Sequence, residues 1–309
     1  MAATISLGGR LFSNHTAFVI SNTAVTLWHH LRYAPLWSAL TVSRGRRFER
    51  RARSLGGLIG FAMRYFPPAR RRFERELLHV FPEMPRARRM RLCRNMGRRM
   101  GQTLFEIFHC AEFQAHQSGF AVSGPGLAAL HAARAKGKGA IIVSGHFGQW
   151  EAVRAALRAR GMETGALYRP QTNRHYQRRL LAGIEAGGLP ILATGQIGTR
   201  ALVRHLRSGG FVAILLDEKH PEGARLPFLG QPALTSLAAA QLALKYDVPM
   251  VPAYGTRLGE SSEFSVEFEA PIPHSDSLTM TQAFNDSLSS RILKNPDQWY
   301  WLLRRWKGA

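Results

Sequence analysis

The stretch AIIVSGHFGQWE, residues 140–151, places an imidazole and a carboxylate directly after a run of apolar residues. On one continuous helix, the side chains of His146 and Glu151 would point about 140° apart, because each residue turns the chain by about 100°. A strand over residues 139–143, followed by a turn and a helix, would bring the two side chains back together. Gly145 and Gly148 permit such a turn, since glycine adopts backbone angles that other residues avoid. The stretch therefore predicts a strand, a tight turn and a helix.

A histidine beside a carboxylate has a defined chemistry. A carboxylate bonded to one imidazole nitrogen fixes the tautomer and leaves the other nitrogen free to remove a proton. His146 and Glu151 are therefore predicted to form an acid-base dyad at this turn. Ser144 is close in sequence, but nothing in the pattern marks it as a nucleophile.

Strands and helices alternate from residue 124 onward. This alternation predicts an α/β fold with a largely parallel central sheet flanked by helices. Ligands of such sheets gather at the carboxyl ends of the strands, where His146 and Asp217 both fall. Besides residues 139–143, strands are predicted at residues 164–168, 189–193, 211–216, 250–255 and 264–268. Helices are predicted at residues 127–136, 150–160, 175–186, 199–207, 236–245 and 280–293.

The first third of the chain is rich in arginine. Apolar residues recur with helical spacing over residues 70–79 and 85–108, opposite strongly basic faces, which predicts two amphipathic helices ahead of the sheet. We interpret residues 1–120 as a basic helical membrane-docking region and residues 121–309 as a catalytic region, joined in one continuous structural domain. Residues 17–42 leave three alternatives open: a membrane-spanning helix, a helix lying in the membrane interface, or a frayed extension.

The charge balance limits the possible partners. The chain has 309 residues and a formal net charge of +22, and no lysine precedes Lys136. Such a balance implies an anionic partner, either nucleic acid or an acidic membrane surface. The chain has no recognisable nucleic-acid module, and its basic helices carry few aromatic residues placed for base stacking, which favours the membrane. Cys93 and Cys110 have no metal-ligand spacing, so we expect neither a zinc site nor a disulfide framework.

Several further motifs accompany the first one. Tyr168-Arg169-Pro170 ends one predicted strand, and Asp217 ends another. Residues 228–233 form a turn before a helix that Thr235 or Ser236 could cap. With the block at residues 145–151 and the Arg304-Arg305-Trp306-Lys307 terminus, these motifs resemble the lysophospholipid acyltransferase superfamily. Within it, Gly145 and Glu151 resemble the lipid A biosynthesis acyltransferases of Gram-negative bacteria.

The resemblance implies an enzyme that transfers a fatty acyl group from acyl carrier protein to a hydroxyl of a lipid A precursor. The donor is then a phosphopantetheine thioester, with no other cofactor and no metal. The resemblance places the enzyme at the cytoplasmic face of the inner membrane, as a peripheral protein or with a weak N-terminal anchor. We expect a monomer.

The resemblance also implies roles for individual residues. His146 would be the general base and Glu151 would orient it and stabilise the imidazolium. Arg169 would hold a phosphate or assist the oxyanion, or else pair with Asp217 or Glu218. Asp217 would position Arg169 or the acceptor.

Three other functions remain open from the sequence. The acceptor could be a lysophospholipid, or an ornithine lipid or glycolipid. The chain could be a basic nucleic-acid-binding protein, or a membrane scaffold of the same fold without activity; the intact pair of His146 and Glu151 argues against the scaffold.

Overall fold

The computed structural model describes residue 38, residues 47–116 and residues 119–308. Its first part is helical, with α1 (Phe48–Tyr65), α2 (Pro67–Val80), α3 (Arg86–Phe108) and the short α4 (Cys110–Gln114). Strands and helices then alternate: β1 (Phe120–Ser123), α5 (Gly126–Ala135), β2 (Ala140–Ser144), α6 (Trp150–Arg158), β3 (Thr164–Tyr168), α7 (Arg174–Gly187), β4 (Ile191–Ala193), α8 (Gln196–Arg207) and β5 (Phe211–Leu215). The last part contains β6 (Ala224–Phe228), β7 (Gln231–Thr235), α9 (Ala238–Tyr246), β8 (Met250–Arg257), β9 (Phe264–Phe268), α10 (Ser277–Lys294) and two 3-10 turns (Pro296–Gln298 and Trp301–Leu303).

The central sheet contains seven strands in the order β1-β9-β8-β2-β5-β3-β4. Its neighbouring strands run parallel, except that β8 and β9 are antiparallel. Strand β2 lies in the middle and is buried at every position, as expected for a strand covered by helices on both faces. The predicted α/β architecture with a largely parallel sheet, preceded by basic helices, is confirmed.

Two features of the sheet region differ from the prediction. The edge strand β1 was not predicted. The segment interpreted as a turn before a helix is a β-hairpin, in which β6 and β7 pair antiparallel around Leu229 and Gly230. Both turn residues have positive φ, at 50° and 76°, as a two-residue hairpin turn with the twist of its strands requires. Ser236 still reaches the next helix, since its hydroxyl accepts from the amide of Ala238 at 3.3 Å.

Helix α1 runs through several glycines, although glycine lowers helix propensity. The reason is close contact with α3. A Cβ added to Gly56 would lie 2.6 Å from the carbonyl oxygen of Arg98, and one added to Gly60 would lie 2.8 Å from that of Arg94. These glycines therefore let the two backbones approach each other, and they fix which face of α1 is buried.

Within the described residues, no helix is both long and apolar enough to cross a membrane. The predicted N-terminal segment at residues 17–42 lies outside the described residues, apart from residue 38.

Candidate active site

Two neighbouring strands place His146 and Asp217 side by side. Strands β2 and β5 pair in parallel register, with Ser144 opposite Leu215 at their carboxyl ends. His146 and Asp217 each follow two residues beyond these paired positions. The register of the sheet therefore brings an imidazole and a carboxylate together at its carboxyl edge, where parallel sheets bind ligands.

Asp217 contacts His146 through both carboxylate oxygens. The Nδ1 atom of His146 lies 2.9 Å from Oδ1, and the backbone N–H of His146 donates to Oδ2 at 2.7 Å. The indole N–H of Trp299 donates to the same Oδ2 at 2.8 Å. With Nδ1–H bonded to the carboxylate, the neutral imidazole keeps Nε2 unprotonated and able to accept a proton.

The electrostatics of the pair follow from burial and mutual attraction. Burial alone would lower the pKa of His146, but the Asp217 carboxylate outweighs it and holds that pKa above its ordinary value of 6.5. Burial alone would raise the pKa of Asp217, whereas the imidazole and the Trp299 N–H hold it below its ordinary value. Asp217 is fully buried, while the His146 side chain keeps 19% of its surface exposed. The histidine is thus an accessible base on a buried anion.

The prediction of a hydrogen bond between Glu151 and His146 is wrong. Glu151 lies on the first turn of α6, as predicted, but its Oε2 accepts from Nη1 of Arg154 at 2.7 Å. Arg154 also donates to the carbonyl oxygens of Thr164 and Gly188, at 3.1 and 2.6 Å. The physical reason is local: a residue three positions along the same helix is a near neighbour, and its guanidinium captures the carboxylate. Burial raises the pKa of Glu151, and the adjacent Arg154 offsets part of that effect.

The turn between β2 and α6 depends on two glycines for different reasons. Gly148 has a φ of 58°, and a Cβ there would lie 2.1 Å from the carbonyl oxygen of Gly255. Gly145 allows a close approach of another side chain, because an added Cβ would lie 3.0 Å from Oδ2 of Asp217. A side chain at either position would displace the loop that carries His146.

A buried ion pair holds the same loop from the side of α3. Arg257 donates to both carboxylate oxygens of Glu106, at 2.7 and 2.6 Å, and both side chains are almost completely buried. Gln149 donates to Glu106 at 2.7 Å, and the hydroxyl of Thr103 donates to the carbonyl oxygen of Gly148 at 2.9 Å. The helical first part of the chain therefore supports the geometry of the turn directly.

A cavity of about 470 Å³ opens beside His146. Its floor includes Ile142, Ala213 and Ala166, which lie in register across β2, β5 and β3. Side chains of α3, α6 and α7, among them Ile107 and Leu180, cover the opposite side. The cavity is mostly apolar and is therefore suited to a hydrocarbon chain, and His146 is among the polar residues that line it.

Ser144 contributes a polar atom to this cavity. Its side chain lines the cavity and is 3% exposed, and its hydroxyl has no hydrogen-bond partner among the described residues. A buried hydroxyl without a partner costs about 1–3 kcal/mol. The position therefore favours a bound group that accepts a hydrogen bond.

Arg169 lies at the edge of the cavity. Its guanidinium donates to the carboxylate of Glu218 at 2.7 Å, and the two side chains are 68% and 39% exposed. Of the partners considered for Arg169, Glu218 forms the ion pair, whereas Asp217 is bonded to His146 and Trp299. Within the described parts of the chain, no group of three His, Cys, Asp or Glu side chains is arranged to hold a metal ion.

Four residues that contribute to this site were not predicted from the sequence. Trp299 is separated from Asp217 by 82 positions, and no local pattern connects the two residues. Glu106 and Arg257 are separated by 151 positions. Arg154 could have been found, because an acid and a base three residues apart on a predicted helix signal an ion pair.

A partly exposed imidazole bonded to a buried carboxylate, in the lining of a mostly apolar cavity, is an arrangement typical of α/β enzymes that act on apolar substrates by general base catalysis. The chain belongs to the bacterial lipid A biosynthesis acyltransferase family, whose sequence profile matches residues 25–308. The family resemblance is therefore confirmed.

Two relatives of this chain are also named as acyltransferases. The chain is 27% identical over 187 residues to phosphatidylinositol mannoside acyltransferases from two strains of Mycobacterium tuberculosis. The match covers 59% of this chain and 58% of each relative.

Proposed function

We propose that the protein transfers a fatty acyl group from an acyl carrier protein thioester to a hydroxyl of a lipid A precursor. The observation that carries the proposal is the His146–Asp217 pair, whose imidazole lines a mostly apolar cavity. The family supports a lipid acceptor and an acyl donor. The cavity takes the acyl chain, and His146 meets the acceptor hydroxyl.

In the proposed mechanism, Nε2 of His146 removes the proton of the acceptor hydroxyl. The oxygen then attacks the thioester carbonyl, a tetrahedral oxyanion forms, and the carbon–sulfur bond breaks. The imidazolium returns its proton to the leaving thiolate. Asp217 is a positioning residue, because it holds the tautomer and stabilises the imidazolium without touching the acyl group. No covalent acyl-enzyme is required.

Ser144 has a place in this mechanism. Its buried hydroxyl faces the cavity and is available to donate a hydrogen bond to the acyl oxygen as negative charge develops there. Arg169 is exposed and paired with Glu218, so we assign it to the phosphate of the acceptor rather than to the oxyanion.

We further propose that the enzyme acts as a peripheral monomer at the cytoplasmic face of the inner membrane. His146, Asp217 and Trp299 contact one another within one chain, so this pair and its support need no residue from a second copy. The division into a docking region (residues 1–120) and a catalytic region (residues 121–309) within one structural domain is part of the proposal.

An acyl-transfer assay with the purified full chain in detergent tests this function. Its two substrates are a lipid A precursor and an acyl carrier protein that carries a fatty acid. We expect an increase of one acyl mass on the precursor, and its loss in His146→Ala. General base catalysis contributes about 10² to 10⁴-fold, so His146→Ala at near wild-type rate would contradict the mechanism. Replacing the carrier-protein thioester by the coenzyme A thioester tests the donor.

A glycolipid acceptor is the second candidate, because the mycobacterial relatives are named as acyltransferases of phosphatidylinositol mannoside. The same assay with phosphatidylinositol mannoside, and with a lysophospholipid, separates the acceptors. Acylation of either one in preference to the lipid A precursor would replace the first proposal.

A further inference from the structure

One face of α1 carries a row of large apolar side chains that point away from the protein. The row consists of Leu58, Phe61 and Tyr65 on the helix and Phe66 directly after it, and each is between 54% and 61% exposed. Residues 58, 61 and 65 recur at helical spacing and share one side of α1, whereas Gly56 and Gly60 face α3 on the opposite side. This apolar row is therefore held outward by the close packing of α1 on α3.

Arginines lie beside the apolar row. Two adjoining grooves lie between α1 and α3 and share Arg64 and Arg94. One groove, of about 550 Å³, adds Arg86 and Arg91, and the other adds Phe61, Tyr65 and Arg98. Arg98 is paired with Glu260 at 2.8 Å.

The other four guanidiniums, those of Arg64, Arg86, Arg91 and Arg94, form no ion pair with any carboxylate in the described part of the chain. All four residues are exposed. This arginine cluster is thus a concentration of positive charge that no carboxylate among the described residues neutralises.

We propose that the apolar row and the arginine cluster form one docking surface for an anionic lipid bilayer, with the arginine grooves binding lipid phosphates. Aromatic and aliphatic side chains beside long cationic ones suit the bilayer interface, because the rings enter the boundary while the guanidiniums reach the phosphates. A second copy of the chain is a poor occupant, since its cluster would repel this one. An acidic protein would pair with the arginines but would leave the apolar row without an apolar partner.

Helix α2 connects this surface to the active site. It begins with Pro67, directly after the apolar row, and its Arg72 donates to the carbonyl oxygen of Leu302. Leu303, the next residue, lines the cavity beside His146. Docking through α1 would therefore place the cavity near the bilayer that supplies a lipid acceptor. In this respect the inference rests on the proposed function, while the docking itself is measured without substrate.

Vesicle binding of the full chain tests the surface. The probes are vesicles of phosphatidylcholine alone and of phosphatidylcholine mixed with phosphatidylglycerol in equal parts. For Arg64→Gln with Arg91→Gln and Arg94→Gln, we expect affinity for the anionic vesicles to fall by about fivefold per guanidinium, or on the order of 10²-fold. The matched control is Arg200→Gln with Arg204→Gln and Arg207→Gln on α8, which removes the same charge from another exposed helix.

A second variant tests the apolar row. Phe61→Ala with Tyr65→Ala is expected to weaken binding to both kinds of vesicle by about tenfold or more, because less apolar area enters the interface. Its control is Ile197→Ala, which removes an 85% exposed apolar side chain from α8. Melting temperatures close to that of the wild type verify that the exposed substitutions leave the fold intact.

Two outcomes overturn the proposal. The first is an effect of either variant no larger than that of its control. The second is unchanged vesicle binding by the arginine variant together with lost binding to acyl carrier protein. Failure of the proposed function would show differently, as absent acyl transfer by a wild-type chain that still binds anionic vesicles.

Discussion

Asp217 holds His146 at two points, accepting the backbone N–H of His146 at 2.7 Å and lying 2.9 Å from its ring Nδ1. The two bonds fix both the position of the backbone and the orientation of the ring. A carboxylate that holds a base in this way controls its tautomer and its pKa together. Substitutions of Asp217, Glu151, Trp299 and Ser144 should therefore differ in their effects on pH dependence, stability and rate.

Asp217→Asn is expected to lower the rate of acyl transfer and to move its pH dependence. The reacting form of His146 is neutral, so activity rises with pH through the pKa of His146, which Asp217 holds above 6.5. Removing the negative charge lowers that pKa, and the acidic limb of the rate profile therefore shifts to lower pH. The measurement is kcat/KM against pH. A profile with an unchanged acidic limb would contradict the assignment of Asp217.

Glu151→Gln is expected to act on stability and to leave the acidic limb in place. It leaves Arg154 buried without its counter-charge, and breaking a buried pair from one side costs about 3–5 kcal/mol. Denaturant unfolding measures the loss. In the double variant with Arg154→Gln, we expect a smaller loss than the sum of the two single losses. A shift of the acidic limb in Glu151→Gln would instead restore Glu151 as the partner of the base.

Asp217 and Glu151 show which part of this site the sequence predicts. The apolar run of β2 and the glycines after it predict the strand, the turn and the helix, and Asp217 is predicted at the same edge of the sheet as His146. The sequence does not predict which of the two acids bonds His146. That depends on the register of β2 with β5 and on the direction in which α6 leaves the turn. Both are consequences of tertiary packing.

The parts of the fold that escaped prediction have similar causes. Strand β1 has four residues at the edge of the sheet, too few for a clear period-two pattern. The hairpin of β6 and β7 turns at Leu229, a residue type that rarely adopts a positive φ. Local sequence gives little signal in either place.

Trp299→Phe is expected to reduce the rate of acyl transfer. The substitution keeps a large aromatic ring in the core but removes the N–H that donates to Asp217. Hydrogen bonds to charged groups contribute about 1.5–3 kcal/mol, so a rate loss of about tenfold or more is expected if the bond positions the carboxylate. The control is Trp301→Phe, since Trp301 is equally buried and donates to the carbonyl oxygen of Pro296 instead. Equal rate losses in both variants, measured as kcat, would reduce the role of Trp299 to packing.

Ser144→Ala is expected to lower activity without lowering stability. The hydroxyl of Ser144 is buried without a partner among the described residues, so its removal should leave the free energy of unfolding unchanged or raise it by up to about 1–3 kcal/mol. If the hydroxyl donates to the developing oxyanion, the same change lowers kcat by about 10²-fold, in the range of other lost oxyanion donors. Ser144→Thr retains a hydroxyl and should recover much of the rate, whereas the acidic limb should stay in place in both variants because the His146–Asp217 pair is untouched. A Ser144→Ala enzyme that is more stable and fully active would show that the hydroxyl takes no part in the reaction, and the oxyanion would then have to be stabilised by another donor at the cavity.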